Sequence, residues 1–588
     1  MIPRTHRAVA PTPEEFTTVT TVDQTGFFQD PPRLRDEFAE DLALRRYLER
    51  VLPEDVLAEI EPSLAEMGRL AAGDLKTWSD AMDRREHEPV LHPFDAWGNR
   101  VDEVEISPYW KRIAEVAHTK GVIATAYERA HGEYSRVHQF ALAYLYNPSS
   151  ALFSCPLAMT DGAARTLLAH GDRTLIDRAV PRLTSRDPDQ AWTSGQWMTE
   201  RPGGSDVGLT ETVAQQVDGG WRLTGTKWFT SAVTADMALT LARPEGNGPG
   251  GRGLGVYYVE VRDQDGRLND LRVLRLKDKL GTRQMPTAEL ALEGTRAQLV
   301  GPPSDGTRNI APMLTVTRLW NAVSAVGFLR RGLALARDYA ERRVAFGRSL
   351  AEQPLHQTTL AWLRVQHEAA LQLTFRAVEL LGREEAGVIS EQEARALRLL
   401  LPVTKLLTAK QAVAGASEAL EAFGGAGYIE DTHLPQLLRD AQVLSIWEGT
   451  TNVLSLDALR ALARDEALSA YVAEVRRAAE ATTHTDAAAI GKLAVDAADH
   501  AVDWISRAID HSPAAVEHGA RRFALTLGRS LQAALLARQA QHDLDRHGDA
   551  RALAVAQRFA AEGLDLLESP GERLRADAAL AREVPLEP

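Results

Sequence analysis

The order of hydrophobic patterns along the chain constrains its fold more than any single motif. From about Pro32 to Ser185, apolar residues recur at three- and four-residue spacing, as in Phe38–Val51 and Ile113–Arg129. That period is the mark of amphipathic helices. Near Ala191 the character changes. Trp221–Thr230, Gly255–Val261, Leu271–Leu276 and Thr287–Leu292 are short, mostly bounded by Gly, Asp or Asn, and read as strands. Gly246–Gly255 reads as a flexible surface turn. From about Asn309 the helical spacing returns, with long helices expected over Ile310–Phe346, Leu355–Leu381 and Glu391–Phe423, followed by an alanine-rich stretch suited to close helix packing. Helices, then a compact β segment, then helices again leave no alternating strand–helix rhythm, which argues against Rossmann and TIM-barrel architectures.

A chain of 588 residues is too long for one hydrophobic core, so several domains are expected. The net charge of −14 argues against a general nucleic-acid binder, which needs a basic footprint. One cysteine, Cys155, permits neither an internal disulfide nor a Cys-based zinc site, and fits a reducing cytoplasm. Met1–Val22 has no apolar signal core, and no stretch approaches eighteen apolar residues, so no transmembrane helix is expected. No metal site is expected: His87 to His92 has one residue too many for a metalloprotease helix, and Pro89 spoils that helix.

Four segments could carry chemistry. Trp197 to Val207 contains Gly203 and Gly204 beside Thr199 and Ser205. Such a loop can bring backbone N–H groups close to a phosphate or a flat ring, although Gly-rich loops are common and on the residues alone a plain polar turn is the favoured reading. Thr226 to Ser231 clusters aromatics and hydroxyls at a strand end, which suits a heterocycle or simple packing. Phe423 to Tyr428, with Gly424 and Gly425, follows a long helix and reads first as a C-cap. In Ser445 to Asn452, Glu448 stands beside Ile446 and Trp447. Partial desolvation there would raise its pKa toward that of a working base; the alternative is an exposed glutamate at a helix start.

Together and in this order, the four segments resemble the acyl-CoA dehydrogenase family, over roughly Arg35 to Ala463. Met198–Val207, Leu276–Arg283 and Ser445–Leu459 are most similar to its AidB-like branch, adaptive-response flavoproteins linked in some bacteria to DNA alkylation. The resemblance implies an α+β, mainly helical fold, with an extension at 1–34, an N-terminal helical domain at 35–190, a middle β domain at 191–305, a helical bundle at 306–462 and an extra C-terminal helical domain at 463–588. It implies FAD as cofactor, held by Met198, Thr199, Gly204, Ser205, Phe229, Thr230, Ser231, Ile446, Trp447, Thr450 and Asn452, with Gly424 and Gly425 letting the backbone approach the cofactor and Arg343 and Phe346 reaching a neighbouring subunit's FAD in a homotetramer. Glu448 is then the base that takes the α-proton of an acyl-CoA thioester. Ser205, Arg318, Trp447 and Gly449 lie on the substrate side, and an electron-transfer flavoprotein is the expected oxidant.

Two departures bear on these roles. Ala345 replaces a hydroxyl residue common before the Phe-Gly pair, and the following spacing leaves Gln353 and Gln357 as rivals for one glutamine position. Thr317 is not acidic, whereas some branches place the catalytic carboxylate near that point, and this favours Glu448. The rival readings are a DNA-associated flavoprotein, which would use C-terminal arginines such as Arg476, Arg477, Arg521, Arg522, Arg529, Arg538, Arg546 and Arg558, and an acyl-CoA-binding protein with little turnover. Acidic residues outnumber basic ones in that C-terminal stretch, which favours ion pairing over DNA binding. Cys155 reads as a buried structural thiol.

Overall fold

The computed structural model describes residues 30–462 and 466–586. The proline-bearing start of the chain, and residues 463–465 at the expected entry to the extra C-terminal domain, lie outside the described residues.

The N-terminal layer holds α1 (Leu42–Val51), α2 (Glu54–Ala72), α3 (Asp74–Met82), strands β1 (Val90–Phe94) and β2 (Arg100–Glu105), then α4 (Pro108–Thr119), α5 (Ala124–Glu128), α6 (Ser135–Tyr146), α7 (Ser154–His170) and α8 (Arg173–Leu183). Capping sets the starts. The Asp41 carboxylate accepts from Leu44 N before α1, and Ser107 precedes Pro108 at the first turn of α4. Every residue of α6 is buried, so this helix is the axis of the layer. The β1–β2 hairpin corrects the all-helical reading of 32–185. Pro93 lies within β1, and the Asp95 carboxylate accepts from Trp97 N and Asn99 N while Gly98 takes φ +83, which builds a tight turn where a helix was expected. The expected helix Ile113–Arg129 is likewise broken into α4 and α5, with Gly121 at φ +67 between them.

The middle segment contains β3 (Ser194–Trp197), β4 (Val213–Val217), β5 (Gly220–Ser231), β6 (Met237–Pro244), β7 (Gly255–Glu260), β8 (Leu271–Leu276) and β9 (Thr287–Val300). Pairings β4–β5, β5–β9, β9–β7, β7–β6 and β6–β4 close a ring, with β3 added on β6 and β8 on β9. Closure leaves few free sheet edges. Strands β3, β4 and β6 are additions to the sequence reading. In β6 the residues are almost all buried, so it lacks the in–out alternation that marks a half-buried strand.

The chain then forms α9 (Gly306–Asn309), α10 (Ala311–Arg342), strands β10 (Val344–Ala345) and β11 (Arg348–Ser349), α11 (Pro354–Glu385), α12 (Glu391–Glu421), α13 (Pro435–Leu444), α14 (Thr451–Leu462), α15 (Ala467–Glu480), α16 (Thr485–His511), α17 (Pro513–His547), α18 (Arg551–Ala561) and α19 (Leu574–Arg582). Helix α10 stops before Phe346, the end expected from sequence. Phe346 (φ +52) and Gly347 (φ +81) form a two-residue turn between β10 and β11, with Ala345 paired to Arg348. Helices α15–α18 share one hydrophobic core with the bundle, and Gln539 of α17 accepts from Gln372 of α11 and Arg50 of α1. Among the described residues, no helix is long and apolar enough to cross a membrane.

Candidate active site

Glu448 occupies the turn between α13 and α14. Its backbone is left-handed (φ +58) and Gly449 follows at φ +105. Two consecutive positive φ values reverse the chain sharply. For a glutamate this costs roughly 1–3 kcal/mol, which surrounding contacts must over-determine. Those contacts come from three helices. Thr317 Oγ1 of α10 donates to Glu448 Oε2 at 2.7 Å. Arg318 Nε donates to the Glu448 carbonyl at 3.4 Å, while its Nη1 pairs with Asp457 of α14 at 2.7 Å. Lys405 Nζ of α12 donates to the Gly449 carbonyl at 2.6 Å.

Burial pushes the Glu448 carboxyl above its ordinary value; the Thr317 hydrogen bond, the Arg318 and Lys405 charges and the Gln196 amide pull the other way. Burial also pushes the nearby Cys155 thiol up to about 12, with the Glu448 charge adding to the effect. Cys155 is therefore a neutral thiol at ordinary pH. The Thr317 bond favours the ionised carboxylate, so Thr317→Val should raise the Glu448 pKa further. The ionisation limb of any Glu448-dependent rate should then move to higher pH, read from a rate–pH profile beside wild type.

On the other side of the site, β3 brings Gln196 to Glu448 and leads into Met198 and Thr199. Trp228 N of β5 donates to the Thr199 carbonyl at 3.0 Å, which joins the second sequence segment to the first. Glu200 and Lys227 form a buried pair at 2.6 Å, with Thr212 Oγ1 and Glu211 N also donating to Glu200, so the loop after β3 is pinned. A Cβ on Gly204 would come within 3.0 Å of Thr199, and Ser205 is exposed on this loop. Phe229 is 55% exposed, with the Trp228 ring edge-on beside it. Thr230 is buried and donates its hydroxyl to the Ala288 carbonyl, so its side chain is already engaged, while Ser231 pairs with Thr287 at 3.4 Å. Gln196 Oε1 is a buried acceptor with no partner among the described residues. An open aromatic shelf, a glycine loop and an unsatisfied acceptor beside Glu448 fit a flat ring bearing N–H or O–H donors.

The remaining sequence-selected residues divide by position. Trp447 is half-buried against the core, whereas Ile446, Thr450 and Asn452 are exposed around the turn, with Thr450 Oγ1 accepting from Val453 N. Arg343, Phe346, Gly424 and Gly425 are not brought to Glu448. Thr317 and Arg342 are separated by about 37 Å along α10, at 1.5 Å per residue. Phe346, 99% exposed, protrudes beyond that end. Gln353 Nε2 donates to the Ala345 carbonyl and braces this hairpin, while Gln357 donates to Ala351. A cavity of about 630 Å³ lies along α10, lined among others by Leu152, Phe328, Leu335, Leu437 and Asp440. Residues 317, 321, 324 and 328 share one helix face, so the face that carries Thr317 continues into the cavity wall at Phe328. Lys405 and Gln196 escaped the sequence reading. The available signal for Lys405 was a lone charge inside the apolar run Leu399–Leu407. Among the described residues, no cluster of side chains is suited to hold a metal ion.

Three family models match in chain order: the adaptive response protein AidB N-terminal domain over 30–190, the acyl-CoA dehydrogenase middle domain over 195–295, and the acyl-CoA dehydrogenase C-terminal domain over 304–463. Acyl-CoA dehydrogenase family member 11 of Caenorhabditis elegans is 43% identical over 87% of this chain and 85% of its own length. AidB of Escherichia coli is 34% identical over 64% of this chain and 69% of its own. The crystal structure of C. elegans ACDH-11 in complex with C11-CoA superposes with a TM-score of 0.91 at 40% identity, covering 98% of this chain and 99% of that one. On this evidence the chain belongs to the acyl-CoA dehydrogenase family of oxidoreductases, in its AidB-like branch.

Proposed function

We propose that the protein is an FAD-dependent acyl-CoA dehydrogenase in which Glu448 removes the α-proton of an acyl thioester. The observation that carries this reading is a half-buried carboxylate, hydrogen-bonded to Thr317, held in a strained left-handed turn by cations from two helices. A base needs a fixed position and a pKa lifted from the ordinary carboxylate value; the turn fixes Glu448, and desolvation raises its carboxyl. FAD would rest on Phe229 and the Met198–Ser205 loop, with Thr450 and Asn452 flanking it, and would supply the acceptor for the β-hydride. Glu448 takes the α-proton and becomes neutral, the thioester is oxidised to its α,β-unsaturated form, and Thr317 keeps the carboxyl oriented. Free Glu448 must be ionised to act. Its raised pKa therefore predicts a rate that climbs with pH as the carboxylate forms and levels off above that pKa.

The cavity along α10 is the proposed seat of the acyl chain: its volume is within the roughly 300–1,000 Å³ of common ligand pockets, and its wall mixes Leu152, Phe328, Leu335 and Leu437 with Lys76, Asp80 and Arg331. A straight, medium-length chain is the substrate class proposed, in keeping with the C11-CoA bound by the C. elegans relative. Leu437→Trp should narrow the cavity and shift the preferred chain to shorter acyl groups, read as the ratio of kcat/KM across a straight-chain panel. A homotetramer, in which Arg343 and Phe346 reach a neighbour's FAD while Gly424 and Gly425 let the backbone approach the cofactor, and reoxidation by an electron-transfer flavoprotein complete the proposal. The DNA-associated alternative draws little support: Arg476, Arg477, Arg522, Arg529 and Arg546 sit in ion pairs and Arg558 donates to the Thr358 carbonyl. The test is anaerobic titration of the FAD-loaded protein with straight, branched and long acyl-CoA thioesters. Bleaching of the flavin band by straight medium chains is expected; a band that no thioester bleaches would overturn the dehydrogenase reading.

A further inference from the structure

Lys405 is 1% exposed on α12, within the run Leu399–Leu407. A buried ammonium costs several kcal/mol unless something compensates it, so its presence calls for a reason. Among the described residues it makes one hydrogen bond, to the carbonyl of Gly449 at 2.6 Å, and no ion pair with a carboxylate. Its nearest charges are Glu448 and Arg318. Arg318 is already matched by Asp457. Glu448 is therefore the negative charge that Lys405 faces. Burial brings the lysine down to about 7, opposed by the Glu448 charge and assisted by Arg318.

The groups facing Glu448 come from five elements. Helix α10 supplies Thr317 and Arg318, α12 supplies Lys405, β3 supplies Gln196, α7 supplies Cys155, and α14 supplies Asp457 behind Arg318. Lys279 stands beyond Cys155, with its ammonium donating to the carbonyls of Thr282 and Met285. Within this set, Arg318 and Lys405 grip consecutive carbonyls, those of Glu448 and Gly449, at the point where the backbone passes through two positive φ values.

We propose that Lys405 is a positioning residue of the catalytic turn: through the Gly449 carbonyl it fixes the left-handed backbone of Glu448, and its charge keeps the half-buried carboxylate ionised. The inference rests on Glu448 being the base. An apolar residue in its place would leave the Gly449 carbonyl without its donor and Glu448 with Arg318 as its remaining opposing charge. Glu448 would then titrate at higher pH, because Thr317, Arg318 and Gln196 would oppose burial without it. The two groups form a coupled pair, so the observable must report the carboxyl alone.

That observable is the carboxyl C=O stretch in infrared difference spectra, wild type minus Glu448→Gln, titrated with pH on the full-length protein. Lys405→Met keeps the apolar packing and removes donor and charge; Lys405→Gln keeps a donor for Gly449 and removes only the charge. Both variants should raise the Glu448 midpoint by about one pH unit, a tenfold change in ionisation at fixed pH. Lys405→Arg, which cannot lose its proton, should return the midpoint toward wild type. A midpoint unmoved in Lys405→Met and Lys405→Gln would overturn the proposal. So would failure of both variants to fold, which would make Lys405 a structural residue only. Because the titration needs no turnover, it decides the role of Lys405 even if thioesters fail to bleach the flavin.

Discussion

Glu448→Gln is expected to slow flavin reduction by an acyl-CoA thioester by about 10³- to 10⁴-fold, at the upper end of what a positioned general base contributes. The substitution is nearly isosteric. Glutamine can still meet Thr317 Oγ1, which sits 2.7 Å from the wild-type carboxylate, and the Gly449 carbonyl keeps its Lys405 donor at 2.6 Å. The turn should therefore persist, and thioester binding should change by less than about threefold. Stopped-flow bleaching and equilibrium binding, run on the same FAD-loaded preparation, separate the two. A variant that reduces flavin at the wild-type rate would remove Glu448 from the chemistry. One that binds neither FAD nor thioester would mark it as structural.

Asp161→Ala should destabilise the fold by about 3–5 kcal/mol, the range for breaking a buried ion pair. Asp161 of α7 is fully buried and accepts from Arg136 Nη1 at 2.9 Å, Gln139 Nε2 at 2.8 Å, Trp320 Nε1 at 2.8 Å and the Tyr127 hydroxyl at 2.7 Å. Alanine would strand an arginine and several neutral donors in the core, although Glu385 also holds Arg136 and keeps the loss within that range. These bonds tie α6, α7 and α10 together, and Trp320 lies one turn beyond Thr317, so the damage should reach the catalytic helix. Burial pushes the Asp161 carboxyl up, but Arg136 and the hydrogen bonds more than offset it and hold it below its ordinary value. Its contribution is therefore complete above the unfolded carboxylate pKa near 4 and is lost as pH falls through the lower folded value. Urea unfolding of wild type and variant at neutral pH should show the full gap, and the gap should close under strongly acidic conditions. A loss below about 1 kcal/mol at neutral pH would contradict this account.

The helix–β–helix order was legible because period 3.6 and period 2 differ over long stretches. Strands β5 and β8 were readable for the same reason. Strand β6 was not: Met237–Pro244 is nearly all buried, and a continuous apolar run carries no alternation. The β1–β2 hairpin was missed because its pattern is set by the Asp95 turn rather than by hydrophobic period. In the site, Glu448 was visible from its neighbours Ile446 and Trp447, and the Gly203–Ser205 loop from its composition. Lys405 was not, since it acts on the turn from a helix more than forty residues earlier, and only folding brings its Nζ to the Gly449 carbonyl. Thr230 shows the opposite limit: its residue type suited a ligand contact, but its hydroxyl is spent on Ala288 inside the ring of strands.

The most direct test of the central claim is a single anaerobic turnover of the FAD-loaded protein with a straight medium-chain acyl-CoA, unlabelled and α,α-dideuterated. If Glu448 takes the α-proton as the β-hydride leaves, the flavin band should bleach in step with appearance of the α,β-unsaturated thioester, and α-deuteration should slow bleaching by a primary isotope effect. Tight thioester binding with an unbleached flavin would contradict the dehydrogenase account and leave an acyl-CoA-binding protein in its place.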